Sequence, residues 1–167
     1  MNCSLNSVAG LISLAIALLL AAIIASYLWV AAVPLFIAAG LVAAVSFGVI
    51  PAIKNALIAY QQCRGPSETC TMSLAIDTLG QVAATLSAIA FLAAAIMEVA
   101  ALAFLYSWIL SWLGVSLQVA VAFMVKSGQF ACAIAILILL GALSNAWSYK
   151  SCMDQQGAGG GGGGVLQ

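Results

Sequence analysis

The chain has 167 residues, of which 66% are hydrophobic and 5% are charged, and it contains no histidine. A water-soluble domain carries about 25% charged residues, so this composition excludes a soluble globular surface. Nucleic-acid binding is also excluded, because the four Lys and Arg residues cannot form a patch that neutralises phosphates. The composition therefore predicts an integral membrane protein.

The first charged residue is Lys54. The uncharged run before it is long enough for two membrane-spanning helices of about 20 residues each. Trp29 marks a membrane interface, and Pro34 interrupts the helical pattern because it has no N–H group. We therefore predict helices over residues 7–30 and 35–60.

A polar loop follows over 61–72, with a Gly-Pro turn signal at its centre. The third helix is predicted over 73–106, and the last helix ends near Lys150. The segment 154–167 contains a run of glycines and is predicted to be a disordered tail, because glycine loses much backbone entropy on folding and offers no side chain to bury. The helical bundle then occupies 1–153.

Residues 107–129 fit two arrangements. In one, the third and fourth helices form a long hairpin that turns near Trp112. In the other, residues 107–125 form an apolar interfacial or re-entrant segment before the last span. A continuous helix over 115–147 would be about 50 Å long, against a hydrocarbon core of about 30 Å. We therefore favour the interfacial segment.

The two halves of the chain share a pattern at their ends. Residues 55–63 and 145–152 both begin with Asn-Ala and close with Tyr-x-x-Cys. The chain therefore divides into two Cys–helix–turn–helix–Cys units, 3–63 and 70–152, with an insertion near 107–128 in the second. This pattern indicates an internal duplication, and the alternative is a chance match within a low-complexity alphabet.

With four spans, both termini and the 61–72 loop lie on one side of the membrane. Four of the five cysteines share that side: Cys3, Cys63, Cys70 and Cys152. The repeat favours the disulfides Cys3–Cys63 and Cys70–Cys152, with Cys63–Cys70 as the alternative. Disulfides need an oxidising compartment, so we place this side outside the cytoplasm. The few positive charges favour the opposite orientation.

Glu98 lies in an apolar run well inside the third span, where a charged group costs several kcal/mol. Two roles fit it. One is a proton- or cation-carrying carboxylate, and the other is a carboxyl group neutralised by burial and hydrogen-bonded to Ser127, Gln129 or Lys126. In the long-hairpin arrangement Glu98 and Lys126 lie at matching depth, so they are the candidate intramembrane site or pair.

Small residues recur four positions apart and place short side chains on one helix face, where helix backbones can approach closely. The pairs are Ala39 with Ala43, Gly40 with Ala44, Ala84 with Ala88, and Ala90 with Ala94. They predict tight helix–helix packing, either within the bundle or between copies.

Catalysis finds little support. Without histidine there is no Ser–His or Cys–His pair and no ordinary zinc site, so we expect no metal, no cofactor and no enzymatic activity. Membrane thiol oxidases are similar in helix number and cysteine content, and this resemblance implies electron transfer from cysteines to a quinone. They use a Cys-x-x-Cys pair, whereas the closest cysteines here are Cys63 and Cys70.

The sequence predicts an all-α integral membrane protein whose four transmembrane helices form two helical hairpins. We expect a small non-enzymatic subunit that packs laterally in a larger membrane assembly or homo-oligomer. Its expected partners are other membrane helices and lipid. The alternative is an ion- or proton-conducting or pore-forming bundle that uses Glu98. A membrane thiol–disulfide oxidoreductase is the second alternative.

Overall fold

The computed structural model describes residues 5–64 and 75–160, and these residues form helices without any strand. The helices are α1 (Asn6–Ser26), α2 (Ala32–Ala44), α3 (Ile50–Arg64), α4 (Ala75–Leu105) and α5 (Ser111–Gly160). Four spans in the described ranges are long and apolar enough to cross a membrane: Asn6–Ser26, Ala32–Cys63, Ala75–Leu105 and Ser111–Gln155. The prediction of an all-helical chain with four helices suited to span a membrane is confirmed.

The first two spans are separated by a turn over residues 27–31. The backbone N–H of Tyr27 bonds to the carbonyl of Ile24, three residues earlier, which tightens the end of α1. Pro34 is the third residue of α2, and the first turn of a helix tolerates proline because the N–H groups there have no helical acceptor. Proline therefore lies just inside the second span and does not precede it.

The second span is continuous because a π-helical turn over Val45–Val49 joins α2 to α3. Pro51 explains this turn, since its ring would clash with the carbonyl of Phe47 in a regular α-helix. The wider turn relieves the clash, and the N–H of Ile50 bonds to the carbonyl of Val45. Pro51 has no N–H group, so the carbonyl of Ser46 has no backbone donor inside the helix.

The four candidate spans, the second of which contains both α2 and α3, form a ring in which each span packs on two neighbours. α1 packs on α2 and α5, and α4 packs on the same two helices. α4 and α5 are antiparallel, because later residues of α5 approach earlier residues of α4. The close approaches are Gly114 to Leu105, Gly128 to Phe91 and Ile138 to Gly80.

The prediction of an interfacial segment over 107–125 is wrong. α4 ends at Leu105, close to the expected position, but the chain reverses over residues 106–110 and α5 then runs unbroken from Ser111. Gly114 allows this, because a Cβ at that position would lie 2.8 Å from the side chain of Leu105. The long-hairpin arrangement placed the turn near Trp112, whereas the observed turn lies earlier in the chain. A helix longer than the hydrocarbon core is possible here because α5, with 50 residues or about 75 Å, extends past its neighbours.

The helix also continues where a disordered tail was predicted from residue 154. α5 extends to Gly160, and Lys150 forms an ion pair with Asp154 at 3.6 Å, one helical turn apart. Such a pair stabilises a helix near its end, so the predicted start of the tail is wrong. Residues 161–167 lie outside the described residues.

The two ends of the bundle differ. The ring of Tyr60 contacts that of Tyr149 edge to face, with centroids 6.0 Å apart. Cys63 and Cys152 each lie three residues further along their helices, and we call this the cysteine end. The opposite end, formed by the turn over 106–110 and the helix ends beside it, is the hairpin end. The predicted disulfide partners Cys3 and Cys70 lie outside the described residues.

Candidate functional site

Glu98 lies on the inward face of α4 and is 0% exposed. Ala94 and Ala95, one turn earlier on that face, pack in a small apolar cluster with Leu35 of α2 and with Val121 of α5. The small alanine side chains allow the helices to pack closely here. This close packing shields the Glu98 carboxyl group from the surroundings of the bundle. Glu98, which the sequence predicts to be an intramembrane carboxyl group, is therefore buried inside the bundle in the structure.

The partner of Glu98 is Gln118. The side-chain N–H of Gln118 on α5 donates to Oε1 of Glu98, whereas Oε2 has no hydrogen-bond partner among the described residues. The reason is positional, because the hairpin turns around Trp108. Glu98 lies ten residues before this centre and Gln118 lies ten residues after it.

The expected partners of Glu98 are wrong. Lys126 is exposed and lies two helical turns beyond Gln118 on α5. Ser127 donates to a carbonyl of its own helix at 3.0 Å, and Gln129 donates to the Ser26 hydroxyl at 2.8 Å. A hairpin centred on Trp112 would bring Lys126 opposite Glu98, and the earlier turn moves this part of α5 away from Glu98.

A second polar group forms at the π-helical turn. The side chain of Gln81 on α4 donates to the free carbonyl of Ser46 at 2.8 Å, and the Ser46 hydroxyl hydrogen-bonds to that of Thr85. Thr85 also donates to the carbonyl of Gln81 at 2.8 Å. This polar group was not predicted from the sequence. Pro51, inside an otherwise uninterrupted apolar helix, is the signal that could have indicated it.

A third polar group joins α1, α4 and α5. Ser87 donates to the carbonyl of Gly128 at 2.8 Å, and the thiol of Cys132 donates to the carbonyl of Leu19 at 3.3 Å. Cys132 is buried and carries a free thiol. Beyond this group the interior is apolar as far as Glu98, because Phe91 and Ala94 are both fully buried. The polar side chains described here therefore do not form a continuous row through the bundle.

The cysteine end holds the remaining predicted residues that the structure describes. Neither Cys63 nor Cys152 is a free thiol. Within the described ranges, no three His, Cys, Asp or Glu side chains lie close enough to hold a metal ion. Among the predicted site residues that the structure describes, Glu98 is the acidic one.

No protein family, curated protein or solved structure matches this chain. The class of the protein therefore rests on its helices. Their number, length and apolar surface indicate a helical membrane protein with four candidate spans.

Proposed function

We propose that this protein is a small non-enzymatic membrane subunit that associates laterally with other transmembrane helices, either in a homo-oligomer or in a larger assembly. The observation that carries this proposal is a row of small residues on the outward surface of the second span. Gly40, Ala44 and Gly48 follow one another at intervals of four and are all exposed.

This row is open to a partner. A Cβ added at Gly40 or at Gly48 would meet no atom within 4 Å. A second helix could approach the α2 backbone closely along such a face, and small residues at intervals of four are typical of membrane helix interfaces. Among the other predicted small residues, Ala84 and Ala94 are fully buried and pack inside the bundle.

A groove beside the row strengthens the proposal. It lies between α2 and α4, has a volume of about 250 Å³, and its lining includes Ala39, Ala43 and Ala88. The short alanine side chains leave a depression that opens to the surroundings of the bundle. A large apolar side chain of a partner helix would fill it, and packing of this kind drives helix association where lipid competes equally for apolar contact.

Leucine substitutions test the row. Gly40→Leu and Gly48→Leu should block close helix approach and shift the protein toward the monomer by about tenfold, equivalent to about 1.4 kcal/mol. The measurement is the mass of the complex extracted in mild detergent. Gly141→Leu is the matched control, because Gly141 is also exposed and open on α5. Equal masses for all three variants and the unmodified chain would refute the proposed interface.

Ion or proton conduction through Glu98 is the second candidate function. The observation in its favour is the unpartnered Oε2 of this fully buried carboxyl group. The apolar interior around Phe91 counts against a continuous path within a single bundle. Glu98→Gln keeps the side-chain shape and removes the charge. Loss of conduction in liposomes would favour this candidate, and unchanged function with modestly lower stability would favour the packing role.

We further propose that the protein consists of two hairpins, 3–63 and 70–152, each closed by a disulfide at the cysteine end. The pairs are Cys3–Cys63 and Cys70–Cys152, on the extracytoplasmic side. In support, Cys63 and Cys152 are not free thiols and lie at the same end of the bundle, whereas Cys132 is free and buried.

A membrane-impermeant thiol reagent tests both the pairing and the orientation. Intact cells should show no labelling without a reductant and labelling at four cysteines with one. Labelling that appears only after lysis would place this end in the cytoplasm. The oxidoreductase alternative requires redox activity that is lost when the cysteines are replaced, and a quinone that co-purifies with the protein.

A further inference from the structure

A second buried carboxyl group lies on α4, near the end opposite to Glu98. Asp77 is the third residue of the helix and is 1% exposed. Neither of its carboxylate oxygens has a hydrogen-bond partner among the described residues. This differs from Glu98, where one oxygen accepts a hydrogen bond from Gln118.

An ionised carboxylate in this position would be poorly stabilised. Removal of an unpaired charge from water costs at least several kcal/mol, and buried groups usually become neutral instead. The start of a helix favours a negative charge, but this effect contributes about 0.3–1 kcal/mol and at most about 2 kcal/mol. The helix terminus alone therefore offsets only part of the cost of burial, and burial favours the protonated form of the carboxyl group.

The charged groups around Asp77 are few. α1 and α2 contain no ionisable acid or base. On α5, Lys126 is exposed and Lys150 pairs with Asp154. α3 carries two cations, Lys54 and, as its last residue, Arg64. The ammonium group of Lys54 donates to the hydroxyl of Thr78, the residue after Asp77, at 3.3 Å. Among the described residues Lys54 and Asp77 do not form an ion pair, so the ammonium group of Lys54 is held by a neutral neighbour.

We propose that Asp77 is a reversible proton-binding site coupled to the position of Lys54. In the protonated state the carboxyl group is neutral and Lys54 donates to Thr78. When the O–H bond of the acid breaks, the proton passes to a water molecule at the cysteine end and the electron pair stays on the carboxylate. The ammonium group of Lys54 keeps its charge and moves from Thr78 to the carboxylate, which then has a counter-ion.

Infrared spectroscopy of the full chain in liposomes tests the proton site, because the carbonyl stretch of a protonated carboxyl group is separate from carboxylate absorption. In the unmodified protein, the part of this band that comes from aspartate should be present at mildly acidic pH and disappear as the pH rises, and Asp77→Asn should remove that part. Asp154→Asn is the matched control, because Asp154 is partly exposed and ion-paired, and this variant should keep the band. ¹³C-labelled aspartate in the unmodified chain should shift the same band, so the test does not depend on a variant that folds.

Two further variants test the coupling to Lys54. Lys54→Met removes the counter-ion of the carboxylate, so the acid band should persist to higher pH than in the unmodified protein. Thr78→Val removes the acceptor that holds Lys54 in the protonated state, so the band should disappear at lower pH. A purely structural role would not move the two variants in opposite directions.

Two results would overturn the proposal. Absence of an aspartic acid band at every pH would show that Asp77 stays ionised. An acid band whose pH range is the same in Lys54→Met and Thr78→Val would remove the coupling. Both results are independent of lateral association, because Asp77, Lys54 and Thr78 all lie outside the row formed by Gly40, Ala44 and Gly48.

Discussion

Gly128 is the point where α5 leaves no room for a side chain against α4. A Cβ at this position would lie 2.7 Å from two ring carbons of Phe91, and that ring is fully buried. The carbonyl of Gly128 also accepts the hydrogen bond from Ser87. One glycine therefore permits both the ring packing and the polar contact between the two helices.

We predict that Gly128→Ala lowers the free energy of unfolding by about 1–3 kcal/mol, the usual cost of an overpacked core. Chemical unfolding in mixed detergent micelles measures the change. Gly141→Ala is the control and should be neutral or slightly stabilising, because its Cβ meets no atom within 4 Å. Phe91→Leu should recover part of the loss when combined with Gly128→Ala. A loss that the second substitution does not reduce would contradict the steric explanation.

The site residues show what sequence could and could not predict at this scale. Glu98 was identifiable because an acidic residue in an apolar run must be buried or paired. Its partner was not identifiable, because it depends on the centre of a turn. A shift of the centre from Trp112 to Trp108 exchanges the opposite residue from Lys126 to Gln118. A small error in a turn is therefore doubled in the pairing across a hairpin.

At the scale of an element, the π-helical turn depends on a contact between distant segments. Pro51 removes a helical donor, and Gln81, on another span, supplies the replacement for the Ser46 carbonyl at 2.8 Å. The apolar runs located the four spans because length and composition decide whether a helix can cross a membrane. These runs could not predict whether Pro51 breaks, kinks or widens its helix, because the outcome depends on the hydrogen bond from Gln81 on α4.

We predict that Gln81→Leu costs about 1–3 kcal/mol of unfolding free energy, since it leaves the buried Ser46 carbonyl without a donor. In a Pro51→Ala background the cost should fall below about 1 kcal/mol, because the substituted alanine restores a backbone N–H to the helix. The measurement is the same unfolding experiment on the two single variants and the double variant. Gln155→Leu, an exposed position on α5, serves as the control. Equal costs in both backgrounds would show that the Ser46 carbonyl is satisfied in another way.

At the scale of the whole molecule, the helices end at different levels. The turn between α1 and α2 meets the other pair of helices where Trp29 and Leu35 pack with Ala95. α4 continues from Ala95 for ten more residues to Leu105, about 15 Å beyond this level. The hairpin end therefore projects past the first two spans as a pair of helices.

The surface of this projection is apolar and aromatic. No charged residue occurs over 99–125, and Tyr106, Trp108 and Trp112 are 92%, 88% and 66% exposed. Tryptophan and tyrosine concentrate at membrane–water interfaces, where the apolar ring and the polar edge are both accommodated. α4 alone is about 46 Å long, which matches the full bilayer with its headgroup regions at about 40–45 Å. From this match we infer that the aromatic residues lie at one interface and the start of α4 at the other.

We predict that the hairpin end lies at the headgroup level of the bilayer. In a variant that keeps Trp108 as its single tryptophan, lipids with bromine near the headgroup should quench the fluorescence more strongly than lipids brominated near the chain ends. Iodide in the aqueous phase should quench it less than free tryptophan. A second variant that keeps only Trp147 tests the cysteine end, where the ring contacts the ammonium group of Lys150 at 5.4 Å. Strong iodide quenching of Trp108 would show that the projection leaves the membrane, and its apolar surface would then require a protein partner, because water disfavours an exposed patch of this kind.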